Sequence, residues 1–139
     1  MKDNIILRVI SKLLIPMIIL FALYVQFHGD YSPGGGFQAG VIFSAGFILY
    51  MLIFGLDTAE AIVPPGVLRV IASLGVLLYA GTGMVSLFMG GEFLNYSVLA
   101  ESPTTGQHIG IILVELGVGM TVSAIMLLIF YTFANRGRQ

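Results

Sequence analysis

The chain has 139 residues, enough for one domain, and 58% of them are hydrophobic while only 9% are charged. Because a typical soluble domain carries about 25% charged residues, this composition excludes an ordinary soluble protein and indicates a membrane-embedded one. The net charge of −1 gives no reason to expect nucleic acid as a partner. The chain has no Cys, which excludes disulfides, thiolate-held clusters and Cys-type zinc sites.

Four apolar segments predict four transmembrane helices within a single membrane domain, residues 1–139. Their approximate bounds are 9–27, 37–56, 67–89 and 109–133. A helix of about 20 residues at 1.5 Å per residue crosses the roughly 30 Å hydrocarbon core of a bilayer, so each segment is long enough. The expected fold class is therefore an all-α membrane protein. The short connection at Pro64 and Pro65 predicts that the second and third spans are neighbours.

The positions of the basic residues predict that both termini are cytoplasmic. The residues concerned are Lys2, Arg8, Lys12, Arg69, Arg136 and Arg138. The loops 28–36 and 90–108 contain neither Lys nor Arg. Because cytoplasmic segments are enriched in Lys and Arg, four spans with both termini inside place every basic residue on the cytoplasmic side.

The first connecting loop contains the sequence HGDYSPGGGFQAG, from His28 to Gly40. It is not a P-loop, because a P-loop requires a Lys that contacts phosphate. We expect a helix joint, with Ser32 as N-cap and Pro33 as the first helical residue. Three consecutive glycines cost a helix roughly 1 kcal/mol each relative to Ala. We therefore expect a neighbour to pack closely against the bare backbone, either another helix of the four-helix unit or a partner subunit.

The third segment carries a stripe of small residues with one tyrosine. At 100° per residue it groups Ala72, Gly75, Tyr79, Gly83 and Ser86 on one face. Membrane helices associate through such small residues. The stripe is therefore a candidate helix-packing face, either within the four-helix unit or against other subunits.

Glu115 is an acidic residue inside the fourth segment, about 9 Å below the predicted outer end of the helix. His108 lies on the same face, seven residues earlier. One interpretation is a proton- or cation-handling site formed by Glu115 and His108. The alternative is a shallow Glu that reaches outer water or pairs with a polar group. No Lys or Arg lies at matching depth, so a permanent counter-charge is expected from another chain.

The loop motif resembles the signature of the B subunit of multisubunit Mrp- or Mnh-type cation/proton antiporters. The matching residues are His28, Asp30, Pro33, Gly34, Gly35, Gly36, Phe37 and Gly40. Many relatives carry His at the position of Asp30 and Gly at that of Ala39. His28 and Asp30 are either cation-attracting groups or simply hydrated loop residues.

The resemblance implies an accessory subunit of a sodium/proton antiporter in the cell membrane, not an enzyme, with no cofactor or bound metal. Its partners would be large A- and D-type subunits and further small membrane subunits, and its transported species sodium ions and protons. Two alternatives stay open: a homo-oligomeric small transporter or channel, and a homologous subunit of a membrane-bound hydrogenase-type complex. A purely structural assembly factor is a third interpretation.

Overall fold

The structure, a computed structural model, describes residues 3–28 and 35–138, and these residues contain helices and connections but no β-strand. In chain order the elements are α1 (Ile5–Phe27), α2 (Gly36–Phe54), α3 (Leu56–Ile62), α4 (Pro65–Phe88), a 3₁₀ helix (Tyr96–Val98) and α5 (Pro103–Arg136). The four long helices, α1, α2, α4 and α5, have the length and hydropathy needed to cross a membrane. This confirms the predicted all-α class with four candidate spans.

Residues at the helix ends, rather than hydropathy, set where the long helices begin. The Asn4 side chain caps α1 by accepting a hydrogen bond from the Leu7 backbone N–H at 3.2 Å. Helices α4 and α5 begin with Pro65 and Pro103, a residue that suits the first helical position. As a result α1 starts at Ile5 instead of residue 9, and α5 starts at Pro103 instead of residue 109.

The long helices lie side by side in the order α1, α2, α5, α4. The prediction that the second and third spans are neighbours is wrong, because α5 lies between them. Helix α5 presents Gly119 to Gly40 of α2, and Gly117 to Gly75 of α4. Both helices therefore approach α5 more closely than they approach each other.

Two connections differ from the loops expected from the sequence. The short helix α3 fills most of the segment between α2 and α4. The loop before α5 is shorter than predicted, so His108 lies within the helix. This loop folds back onto α5. The Tyr96 ring packs directly on Gly110, and the Tyr96 backbone carbonyl oxygen contacts Gly106. Burial, and secondarily the nearby Tyr79, raise the pKa of Tyr96 above its usual value of 10.0.

One end of the molecule collects the basic side chains of the described residues. The Arg8 guanidinium lies 5.6 Å from the centre of the Phe54 ring, where α1 begins and α2 ends. Arg138, just beyond α5, forms a 2.8 Å ion pair with Asp57 of α3. We call this the basic end. The opposite end, where α1 finishes and α2 begins, is called the loop end.

The apolar core lies toward the basic end, between α2, α3, α4 and α5. Its buried members are Met51, Ala59, Leu68, Ala72, Ala124, Leu127 and Tyr131. The Tyr131 hydroxyl donates a 3.0 Å hydrogen bond to the Val63 carbonyl oxygen. This bond ties α5 to the connection between α3 and α4, and satisfies a hydroxyl that would be costly to bury alone.

Candidate functional site

At the loop end, the first turn of α2 packs on the backbone of α5 at Glu115. A Cβ on Gly36 would overlap the Glu115 carbonyl oxygen and would lie 2.9 Å from its carbonyl carbon. One turn further, a Cβ on Gly40 would lie 2.9 Å from the Gly119 carbonyl oxygen. Real side chains do not tolerate such distances, so this junction requires glycine at both positions.

The Glu115 carboxylate lies at the N-terminus of α2. Its Oε1 atom is 3.1 Å from the position that a Cβ on Gly35 would occupy. The N-cap of α2 is Gly35, not the expected Ser32, and its φ of 130° is one that L-residues with a side chain rarely adopt. The free N–H groups of a helix N-terminus favour a nearby negative charge by about 0.3–1 kcal/mol. The junction therefore provides a favourable environment for the half-buried carboxylate within the same chain.

The buried side chain of Gln26 completes the junction from α1. It is 7% exposed, and its Oε1 atom contacts the bare backbone of Gly119. Within the described part of the chain its amide makes no hydrogen bond. Hydropathy alone does not single out Gln26, although an amide next to the end of an apolar span is a usable signal. Three helices thus bring an acid, an amide and a helix N-terminus together.

Glu115 lies level with the start of α2, because Gly36, the first residue of α2, packs on its backbone. The nineteen residues of α2 extend about 28 Å, close to the roughly 30 Å hydrocarbon thickness of a bilayer. Helix α5 begins at Pro103, so its first turns extend past the start of α2. The depth of about 9 Å expected for Glu115 stays a prediction.

The two histidines lie around this junction at different levels. His28 is the C-cap of α1, and its ring stacks on Tyr24 with centroids 4.4 Å apart. His108 is exposed on α5, about 10 Å along the helix axis from Glu115. It lines a shallow pocket with Ser97 of the preceding loop and neighbouring residues of α5.

Part of the loop motif lies outside the described residues. This applies to Asp30, Ser32, Pro33 and Gly34. Among the motif residues that are described, Phe37 is exposed, whereas Gly36 and Gly40 are buried. Within residues 3–28 and 35–138, no three His, Asp or Glu side chains cluster as a metal site would require.

The predicted packing face of α4 divides between two neighbours. Gly75 meets α5, where a Cβ would lie 2.6 Å from the Gly117 carbonyl oxygen, and the neighbouring Ala72 is also buried there. Gly83 lies against the ring of Phe93, in the loop that follows α4.

The remaining two residues of that face differ in burial. Ser86 is fully buried and donates to the Thr82 carbonyl oxygen at 3.1 Å. Tyr79 remains partly exposed.

The neighbour that covers the Gly-rich joint is α5 of the same chain. The alternative of a partner subunit at Gly36 and Gly40 is therefore wrong. Sequence spacing could show that the backbone was bare, but it could not show which helix would cover it. The glycine that faces Gly40 is Gly119, far away in the sequence.

Comparison with known proteins places this junction in context. Residues 6–128 match the family described as "Domain related to MnhB subunit of Na+/H+ antiporter". The proteins named "Putative antiporter subunit mnhB2" from Staphylococcus aureus strains Newman and JH1 are each 33% identical over 139 residues. Each match covers 97% of this chain and 98% of the relative.

Proposed function

The chain belongs to the family of the MnhB subunit of Na+/H+ antiporters, and on that premise we propose how its parts serve sodium/proton exchange. It is a subunit of a multisubunit antiporter. We propose that it is an accessory subunit that supports sodium efflux driven by the proton gradient, and thereby sodium and pH homeostasis. Its four apolar helices fit this membrane role.

The proposed location is the cell membrane, with both termini in the cytoplasm. The support is the grouping of charged contacts at the basic end. Arg8 at the start of α1 and Arg138 after α5 lie at that end. Arg69, in the second turn of α4, begins its span from the same end. The enrichment of Lys and Arg in cytoplasmic segments favours this end as the inner one.

The proposed partners are large A- and D-type subunits together with further small membrane subunits. The outer helices of the row, α1 and α4, leave most of their apolar side chains exposed. In a membrane such surfaces contact either lipid or other subunits. A subunit with exposed apolar faces on both outer helices is suited to contact other subunits on both sides.

We assign the ion-handling role to Glu115, with His108 toward the aqueous side. The observation that supports this most strongly is the position of the Glu115 carboxylate at the N-terminus of α2, near the predicted outer edge of the hydrocarbon. An acid at this boundary reaches outer water and also faces the interior between helices. It can therefore exchange protons or cations between the two, whereas an acid at the membrane centre would be costly to ionise.

Deletion of the gene from the complete antiporter operon tests the assignment. Exchange is measured as sodium-induced pH change in inside-out membrane vesicles. We expect deletion to abolish exchange and re-expression of the chain to restore it. Full exchange without the chain would overturn the proposal. Transport by the purified chain alone after reconstitution would instead support a self-contained transporter.

A further inference from the structure

An apolar crevice runs between α1, α2, α4 and α5 and begins beside Gln26 at the loop end. Its volume is about 340 Å³. Its wall on α5 extends from Leu116 to Leu127, which is about 17 Å at 1.5 Å per helical residue. This length is about half of the roughly 30 Å hydrocarbon core, which is the depth of one leaflet.

Two polar side chains line the crevice, and they differ in their hydrogen bonding. The Ser123 hydroxyl donates to the Met120 carbonyl oxygen at 3.1 Å and is therefore satisfied. The Gln26 amide is more than nine-tenths buried and makes no hydrogen bond within the described part of the chain. Buried amides in proteins normally have a partner. The crevice thus combines an apolar channel with one unsatisfied donor at its loop end.

Dimensions and chemistry exclude two common occupants. An apolar cavity of this kind stays dry, because water needs two to four polar partners. A helix of about 10 Å diameter over 17 Å would occupy roughly 1,300 Å³, more than the roughly 940 Å³ of empty space at the crevice. A flexible hydrocarbon chain satisfies both limits, and the medium around the spans supplies such chains.

We propose that the crevice binds one acyl chain of a phospholipid from the leaflet at the loop end, and that the Gln26 amide donates a hydrogen bond to the ester carbonyl of that chain. Phospholipid esters lie where hydrocarbon meets headgroups. Gln26 is next to the last residue of α1 and lies beside Gly119, near the edge of the hydrocarbon core defined by α2. The acceptor and the amide are therefore at the same depth.

This lipid would fasten α1 to the other helices. Helix α1 packs on α2 and has little direct contact with α5. An acyl chain lying between α1 and α5 would fill the space that separates these helices. Its ester carbonyl would accept a hydrogen bond from the Gln26 amide. The inference does not depend on the ion-handling role of Glu115.

Photo-labelling tests the site in the assembled complex. The complex is reconstituted in phosphatidylethanolamine–phosphatidylglycerol vesicles that contain a little phosphatidylglycerol with a diazirine on its acyl chain. After irradiation, mass spectrometry locates the label. We expect preferential labelling of Phe43, Phe47 and Met120, which line the crevice. Equal labelling of Leu20, which is exposed outside the crevice, would overturn the proposal.

Matched variants separate a specific site from general lipid contact. Leu23 lines the crevice and is 45% exposed, so Leu23→Trp adds bulk there with little risk to folding. It should reduce crevice labelling strongly, while Leu20→Trp, one turn away, should leave it unchanged. Unchanged labelling in Leu23→Trp, or cross-links from the crevice to another subunit, would contradict lipid occupancy.

The role of the amide is tested by competition. Unlabelled phosphatidylglycerol should compete for the crevice about fivefold more weakly in Gln26→Leu, the effect of losing one neutral hydrogen bond. Equal competition in both proteins would overturn the assigned bond. Competition by a free fatty acid as strong as that by the phospholipid would overturn the assignment to a phospholipid ester.

Discussion

Helix α5 is crossed by two helices through glycines, but the two crossings differ in their polar groups. At the α4 crossing, the Gly75 and Gly117 backbones touch, and the Thr121 hydroxyl lies 3.2 Å from the Ala72 carbonyl oxygen and 3.0 Å from that of Gly117. That hydroxyl is satisfied by backbone acceptors. At the α2 crossing, the close approach instead brings together the Glu115 carboxylate, the Gln26 amide and a helix N-terminus.

The difference shows that a glycine contact between two helices can serve packing alone, or can also bring polar side chains together. Glycine lets helices approach closely in both places. At the α4 crossing, among the described residues, no carboxylate or basic side chain lies in the contact. At the α2 crossing the half-buried acid lies at the N-terminus of α2, which stabilises its negative charge. We therefore expect changes at the α2 crossing to affect exchange itself, and changes at the α4 crossing to affect stability only.

The largest effect is expected from Gly36→Ala. The new methyl would overlap backbone atoms of Glu115, and backbone cannot move aside as the end of a side chain can. Overpacking typically costs about 1–3 kcal/mol and sometimes more. We expect little assembled complex on native gels and a further loss of exchange per complex that remains.

Gly81→Ala is the matched control, because a Cβ at Gly81 has nothing within 4 Å. The same substitution in an open helical position should be neutral or stabilise by about 0.5–1 kcal/mol. If both variants assembled equally well, close packing at Gly36 would not be needed.

Gly75→Ala should have an intermediate effect. Its methyl meets the Gly117 carbonyl oxygen and also the Thr121 hydroxyl, which can rotate away. We expect a reduced complex yield with normal exchange per assembled complex, measured by gel quantification and vesicle assay. Adding Thr121→Ala should recover part of the yield. A loss of specific exchange in Gly75→Ala would remove the proposed distinction between the crossings.

Tyr131→Phe should have the smallest effect. It removes the hydrogen bond to the Val63 carbonyl oxygen at the basic end, a loss of about 1 kcal/mol. The thermal midpoint of the purified complex should fall by a few degrees, with normal exchange. Tyr50→Phe is the control, since no hydrogen bond of the Tyr50 hydroxyl occurs among the described residues. Equal midpoints in the two variants would contradict this role for Tyr131.

The sequence predicted the helices better than it predicted their neighbours. Hydropathy is a local property, so it identified four membrane-crossing segments. Which helix covers Gly36 depends on residues nearly eighty positions away, so local pattern could not identify α5. The position of Glu115 beside the N-terminus of α2 could not be predicted for the same reason, because the contact between α2 and α5 sets it. Gln26 was missed because its importance appears only beside Gly119.

The most direct test of the account is Glu115→Gln, which keeps the shape of the side chain and removes its charge. With assembly measured on native gels and exchange in vesicles, we expect normal complex yield and a decrease in exchange of roughly tenfold or more, as for loss of a positioned proton-transfer group. Glu101→Gln, at an exposed acid in the loop before α5, should leave both unchanged. Normal exchange in Glu115→Gln at full assembly would contradict the central claim.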